Sequence, residues 1–345
     1  MIIKFINYML GFGQGIFLLP FLMLFFFYMF WKISFYYAKT LALKEEKTAK
    51  TANRLFMASF RVTMILLVML CAIGAGAIVI QNNPNALESI PSANHFLMKI
   101  DQPIFHTYLP FWFQLSSNPY KSLFDKMPGL LIFTYRSLSY FFGLALILLT
   151  LINPRFCVQL IASFAVCAFI SLPIWYVFPA TSPVIAYLYP PSEISIPGDI
   201  SSMLNDYQPN ETLQNFFKNR TESNPDGPYT TIPSMHIAWV TVLIFYAIVA
   251  WRPLAIIGIP YFFLNILSTV YTLQHYTADI VAGLVVAALA IAITKRLKPE
   301  KEKSIAVILE VIQADILFMK KKLKLLAQII RCLIFGNPKL VKEPD

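Results

Sequence analysis

Charge is what this chain mostly lacks. Asp, Glu, Lys and Arg make up 13% of its 345 residues, against 57% hydrophobic residues and a mean hydropathy of +0.62. That balance excludes one ordinary soluble domain. Cysteine is also sparse. Cys71, Cys157 and Cys167 fall in apolar runs and Cys332 in the C-terminal tail, so no pair is placed to staple the polar loops. Although the net charge is +10, no basic-aromatic array is present of the kind that binds nucleic acid. Internal repeats and low-complexity tracts are absent as well.

What is present is apolar length. About seven runs are long enough to cross a bilayer: 9–31, 56–80, 129–152, 157–178, 234–251, 254–273 and 276–294. The first is longer than the hydrophobic stretch of a signal peptide and lacks a small-residue cleavage site before Trp31 and Lys32, so it reads as a helix. The expected fold is therefore all-α, a polytopic membrane helix bundle. Threading the chain through these runs puts 21 of its 28 Lys and Arg residues on one face, twelve of them between Lys295 and Lys342. Basic residues in short loops stay cytoplasmic, which makes that face the inner one. The segment from 304 to 335 mixes apolar residues with a Lys cluster, as a helix lying on the inner surface does.

The polar chemistry gathers on the opposite face. His95, His106, His236 and His275 all fall in or beside two long outer loops, about 81–128 and 179–233. The second loop is rich in Pro and Asn and is expected to be irregular, a lid or binding element more than a spacer. It also carries two N-x-T triplets, at Asn210 and Asn219, which matter only if this face passes through a glycosylating compartment.

Two short motifs stand at the outer ends of helices. In "PSMH", Pro233 suits the first turn of a helix, whose free N–H groups attract an anion such as phosphate. In "HYTAD", His275 and Asp279 are four residues apart and share a helix face, so the carboxylate can orient the imidazole as it does for a nucleophile or base. His236 and His275 are 39 residues apart, yet one tight helical hairpin separates them. An aspartate near the end of an apolar helix is costly in lipid and is a functional candidate by default.

These motifs resemble the two catalytic motifs of the type 2 phosphatidic acid phosphatase superfamily, the second of which reads S-R-x5-H-x3-D. Ser268 matches the first position of that pattern, but Thr269 stands where the family has Arg. The family's upstream K-x6-R-P motif is missing, and "KSLFDKMP", Lys121 to Pro128, only echoes it. The branch closest in character is the lipid phosphotransferases, which include inositol phosphorylceramide synthase and sphingomyelin synthase. "FPATSP", Phe178 to Pro183, is similar to the F-P-x-x-P-P element of the inositol branch and departs from it at Ser182. The resemblance covers about residues 56–294 and implies a six-helix core, preceded by a helix and basic loop over 1–55 and followed by a basic tail over 295–345.

The resemblance implies roles residue by residue. His275, oriented by Asp279, would attack phosphorus to form a phosphohistidine, and His236 would protonate the departing lipid oxygen. Ser234, Tyr276 and Ser268 would lie around the substrate phosphate, and no metal or cofactor would be needed. The donor would be a phospholipid or lipid phosphate in the bilayer, and the acceptor a lipid or sugar hydroxyl, or water. A phosphodiester carries one negative charge where a monoester carries up to two, so loss of the family's Lys and Arg favours headgroup transfer over simple dephosphorylation. Arg136, seven residues into its run and roughly 10 Å deep at 1.5 Å per residue, is a candidate replacement cation. Pairing within the bundle is its structural alternative. Three other readings stay open: a lipid phosphate phosphatase; a non-enzymatic transporter or scaffold; and a metalloenzyme built on His95, Asp101 and His106, whose spacing matches no tight ligand motif.

Overall fold

The computed structural model describes residues 27–39, 46–81, 83, 86–190, 196–223, 231–296 and 303–335. Helices dominate these residues, and among them there is no strand beyond an isolated bridge between Leu115 and Tyr207. The main elements are α1 (Glu46–Gln81), α2 (Ala86–Phe105), α3 (Pro128–Ile152), α4 (Pro154–Val177), α5 (Glu211–Ser223), α6 (Met235–Ala250), α7 (Ala255–Tyr271), α8 (Thr277–Lys295) and α9 (Lys303–Phe335). Most of the first apolar run, 9–31, lies outside the described residues.

Local signals place the boundaries. Pro128 and Pro154 open α3 and α4, where a missing N–H costs nothing. Asn153 alone joins these two helices, ending α3 while its side chain accepts from the Arg155 amide at 3.2 Å to cap α4. A short 3-10 turn, Arg252–Leu254, reverses the chain between α6 and α7. The helices α3, α4 and α8, together with Arg252–Tyr271, are four segments long and apolar enough to cross a membrane. α6 is equally apolar but only 16 residues long. It packs against α8, α4, α7 and α3.

Outward faces of the spans carry large apolar side chains such as Phe133, Val177, Ile256 and Phe263, suited to lipid. Hydroxyl pairs cross the bundle interior. Thr294 bonds to Ser163 at 2.6 Å and to Tyr246 at 2.9 Å, linking α8, α4 and α6, while Ser137 and Tyr261 at 3.0 Å link α3 and α7. Such bonds contribute about 0.6 kcal/mol each in membrane bundles. This is an all-α integral membrane protein.

The bundle has two unlike ends. At one, segment 27–39, the first half of α1 and α9 bury Met29, Leu55, Ala58, Ile308 and Val311 together, with Lys32 paired to Asp315 at 2.6 Å. Arg155, Arg252 and Lys295 sit at helix ends on this same side. The tail segment is one helix, α9, with an apolar stripe against α1 and α4 and exposed Leu317, Phe318, Leu323 and Leu326. At the other end, α2, the segment 178–190, a short helix Gly198–Leu204 and α5 form a layer around buried Phe111, Tyr187, Leu213 and Phe217. The second outer loop is thus more regular than its Pro and Asn content suggests. Asn210 caps α5 by accepting from the Leu213 amide at 2.9 Å, and the buried Leu213, Phe216 and Phe217 hold that helix on the bundle.

Two features pin the N-termini of α6 and α8 together. The Ser234 amide donates to the Asp279 carbonyl at 3.0 Å. Gly283, one turn further along α8, lets the Ser234 carbonyl come so close that an added Cβ would lie 2.5 Å from that oxygen. Backbone has little room to retreat there, so Gly283→Ala is expected to destabilise by about 1–3 kcal/mol, as overpacking does. Gly129→Ala, where an added Cβ meets nothing within 4 Å, is the control. Thermal unfolding in detergent checks this; equal melting temperatures for the two variants would refute the close-approach argument.

Candidate active site

The chain enters α6 through Thr231, whose amide donates to the Ala180 carbonyl at 3.2 Å. Pro233 follows a cis peptide bond and precedes the cap, one step before the helical turn its sequence context suggests. Ser234 is the cap: its hydroxyl oxygen accepts from the Ile237 amide at 3.3 Å, leaving the hydroxyl hydrogen for another acceptor. This fixes His236 on the first turn of α6.

His236 is held from two sides. Its ring stacks on Tyr135 of α3, with centroids 4.6 Å apart and planes 16° from parallel. Its Nε2 lies 2.9 Å from Oδ1 of Asn265, a buried α7 residue whose amide donates to the Tyr261 carbonyl at 3.1 Å. Because that amide nitrogen is occupied, the oxygen faces the ring and Nε2 donates. Nδ1 is then the nitrogen left to exchange a proton.

The second motif starts from a forced turn. Leu273 has φ +53°, a left-handed conformation costing an L-residue roughly 1–2 kcal/mol. It is held by full burial and by its carbonyl, which accepts from the Val184 amide at 3.1 Å. Two residues later, His275 Nδ1 donates to Asp279 Oδ2 at 3.2 Å, and the same oxygen accepts from the Tyr276 amide at 2.9 Å. Asp279 is wholly buried and the His275 side chain is 12% exposed. With Nδ1 engaged, Nε2 of His275 is the free nitrogen.

The backbone bond from Ser234 to Asp279 joins the two helix turns beside which the histidines sit. Together the two rings and the first turn of α6 supply one nitrogen lone pair, one proton-exchanging nitrogen and a helix N-terminus. Such a set can attack an electrophilic phosphorus and protonate the group it expels.

A PAP2 superfamily profile matches residues 120–293. The chain belongs to the PAP2 superfamily. No curated protein and no solved structure matches it. The matched segment runs from just before α3 to the end of α8, so α1 and α2 lie outside it. Membership in the PAP2 superfamily, one of phosphatases and phosphotransferases, and the apolar spans together give a membrane phosphatase-like protein acting on lipid phosphates.

The remaining residues expected at the site sit as follows. Thr269, at the position of the PAP2 arginine, is buried, and its hydroxyl donates back to the Asn265 carbonyl, so no cation takes that place. Ser268 is also buried, with its hydroxyl donating to the Asn265 carbonyl at 2.9 Å. Tyr276 is buried with its hydroxyl unbonded. Arg136 is exposed, its guanidinium 5.0 Å above the Phe216 ring of α5, which itself meets Tyr135 edge-on. Lys121, in the echo of the upstream motif, is paired with Asp125 at 2.8 Å. The segment "FPATSP" acts as a tie: Asn94 of α2 bonds the Thr181 hydroxyl and amide at 2.8 and 3.0 Å. Among the described residues, no group of three His, Cys, Asp or Glu side chains is arranged to hold a metal ion, and His95, Asp101 and His106 form no such set.

Sequence reasoning misses Asn265 and Tyr135. The one available signal for Asn265 is an amide inside an otherwise apolar run, four residues before Thr269; Tyr135 carries none. Asn265→Leu removes the acceptor while keeping side-chain size. The expected result is a kcat about five- to tenfold lower with the fold retained, the worth of one oriented hydrogen bond. Steady-state kinetics on a labelled phospholipid check it, and an unchanged kcat would remove Asn265 from the site.

Proposed function

We propose that the protein is a lipid phosphotransferase of the inositol phosphorylceramide synthase and sphingomyelin synthase kind, working at the extracytoplasmic face of its membrane through a phosphohistidine. The observation that carries the reading is the pairing of His275 with Asp279 beside His236, joined through the Ser234 to Asp279 backbone bond.

In the first half-reaction, His275 Nε2 attacks phosphorus of a phospholipid headgroup ester. The bond from phosphorus to the lipid oxygen breaks, and that oxygen takes the proton from His236 Nδ1. In the second, an acceptor hydroxyl gives its proton to His236 as its oxygen attacks phosphorus, and the P–N bond breaks to restore neutral His275. Asp279 holds the ring in the tautomer that leaves Nε2 free and stabilises the positive charge on the phosphorylated imidazole. The Ser234 hydroxyl and the free N–H groups of the first α6 turn are aimed at phosphoryl oxygens.

Charge balance favours transfer of a diester group. Thr269 supplies no charge where the superfamily places arginine, which leaves Arg136, stacked over Phe216 of α5, as the cation for a singly charged phosphate. A phosphate monoesterase would need more fixed positive charge. Hydrolysis of a lipid phosphate is the alternative outcome of the same chemistry, with water as the acceptor.

Purified protein given a phospholipid with a labelled headgroup phosphate separates these outcomes. Diacylglycerol with label passed to an added hydroxyl acceptor is the expected result. Label released as the water-soluble phosphorylated headgroup would mean hydrolysis, free labelled phosphate from phosphatidic acid offered in parallel would mean a phosphatase, and no product from either would end the enzymatic reading. His236→Ala is expected to lower kcat by about 10²–10⁴, the range for a lost general acid, and full turnover by His275→Ala would contradict the phosphohistidine.

A further inference from the structure

Asp101 lies on α2, outside the matched superfamily segment, and plays no part in the mechanism above. It is wholly buried, and neither of its carboxyl oxygens has a hydrogen-bond partner in bonding geometry. α2 packs directly on α8. The groups that act on the carboxyl from the first turn of α8 are the Thr277 hydroxyl, itself buried and unbonded, and Asp279. Asp279 in turn has one oxygen, Oδ2, engaged with His275 and Tyr276, while Oδ1 is buried and unbonded. Two carboxyl groups with spare buried oxygens therefore lie on the packed pair α2 and α8, and two buried anions without a cation would be very costly.

We propose that Asp101 is a positioning residue: as a neutral acid it completes a buried carboxyl pair with Asp279, leaving a single negative charge behind His275. The inference rests on His275 being the nucleophile. One carboxylate orients the ring, whereas two would hold a proton on the nitrogen that has to attack. Burial pushes Asp101 up to about 7, opposed next by the Thr277 hydroxyl, with the charge of Asp279 adding a lesser push upward and the Leu109 backbone a lesser pull downward.

Other titratable groups on the surrounding elements do not compete for this proton. Asp279 is coupled to Tyr276, and Tyr276 to Tyr187 of the turn Val184–Leu188. Tyr187 in turn faces Tyr108, which precedes the short helix Leu109–Trp112, and Asp199, whose other titratable neighbour is His95 on α2. Burial raises all three phenols, Tyr108 to about 12, so they remain neutral near pH 7. Asp199, held below the usual carboxylate range mainly by the Tyr108 hydroxyl, remains an anion. Of the carboxyl groups named, Asp101 is the one that burial raises toward neutrality.

The test is a pH titration of the full-length protein in lipid, wild type beside Asp101→Asn and Asp101→Ala, between about pH 5 and about pH 8.5. Infrared difference spectra follow the carbonyl stretch of a protonated carboxylic acid, and kcat is followed on labelled phospholipid. The wild type should lose a neutral-acid band centred near pH 7 that Asp101→Asn lacks, and its kcat should decline over the same interval. The Asn variant, permanently neutral, should lose that alkaline decline; the Ala variant, unable to hydrogen-bond, should fall about tenfold or more at every pH.

A wild type without such a band overturns the pairing, and needs no folded variant to do so. A band that persists in Asp101→Asn overturns it as well. So does a folded Asn variant with a lower kcat but an unchanged pH profile, because a merely structural carboxyl would behave that way. If the band behaves as expected while the wild type turns over no phospholipid, the buried pair stands and the phosphotransferase reading fails.

Discussion

Everything at the site depends on how closely the first turns of α6 and α8 approach. The hydrogen bond from the Ser234 amide to the Asp279 carbonyl sets that distance, and Gly283 permits it by presenting no side chain to the Ser234 carbonyl. Two helix N-termini drawn together in this way bring His236 and His275 to one end of the bundle and point two sets of free N–H groups toward the same volume. Neither histidine could be positioned by its own helix alone. The outer layer then fixes the remaining freedom: Val184 holds the Leu273 turn and Ala180 holds the approach to Ser234.

The same geometry explains where the chain tolerates polarity. Through the middle of the bundle, polar groups are hydroxyls that satisfy one another or their own helix carbonyls, such as Ser163, Thr294 and Ser171. Ionisable groups are kept to the ends. Asp279 is affordable at the start of α8 because a backbone amide and an imidazole share its charge. Arginine at position 269 would have to be accommodated where Thr269 is now fully enclosed. The active end therefore runs with little fixed positive charge, which is the physical basis for proposing a singly charged phosphodiester as the substrate.

Much of this was legible in the residues themselves. Apolar length gave the bundle, and the spacing of His275 and Asp279 gave the dyad, because both depend on local periodicity. Segregation of Lys and Arg singled out the end of the bundle where Arg155, Arg252 and Lys295 lie. Asn265 and Tyr135 were not legible beside His236, since each meets it through contacts between helices that no local pattern encodes, and Asp101 was singled out only as a metal-ligand candidate. The second outer loop was misjudged for a related reason: α5 owes its order to the burial of Phe216 and Phe217 on the bundle, which outweighs the prolines around it. Ser268 matched the motif by position, yet its hydroxyl is turned to a carbonyl of its own helix.

The central claim is that two imidazoles converge on one phosphorus atom, and a structure of the protein determined with bound orthovanadate tests it most directly, because vanadate mimics the five-coordinate geometry of phosphoryl transfer. The account predicts vanadium bonded to His275 Nε2, with His236 Nδ1 within hydrogen-bond distance of the oxygen opposite. Vanadate bonded elsewhere, or rings too far apart to share it, would contradict the account.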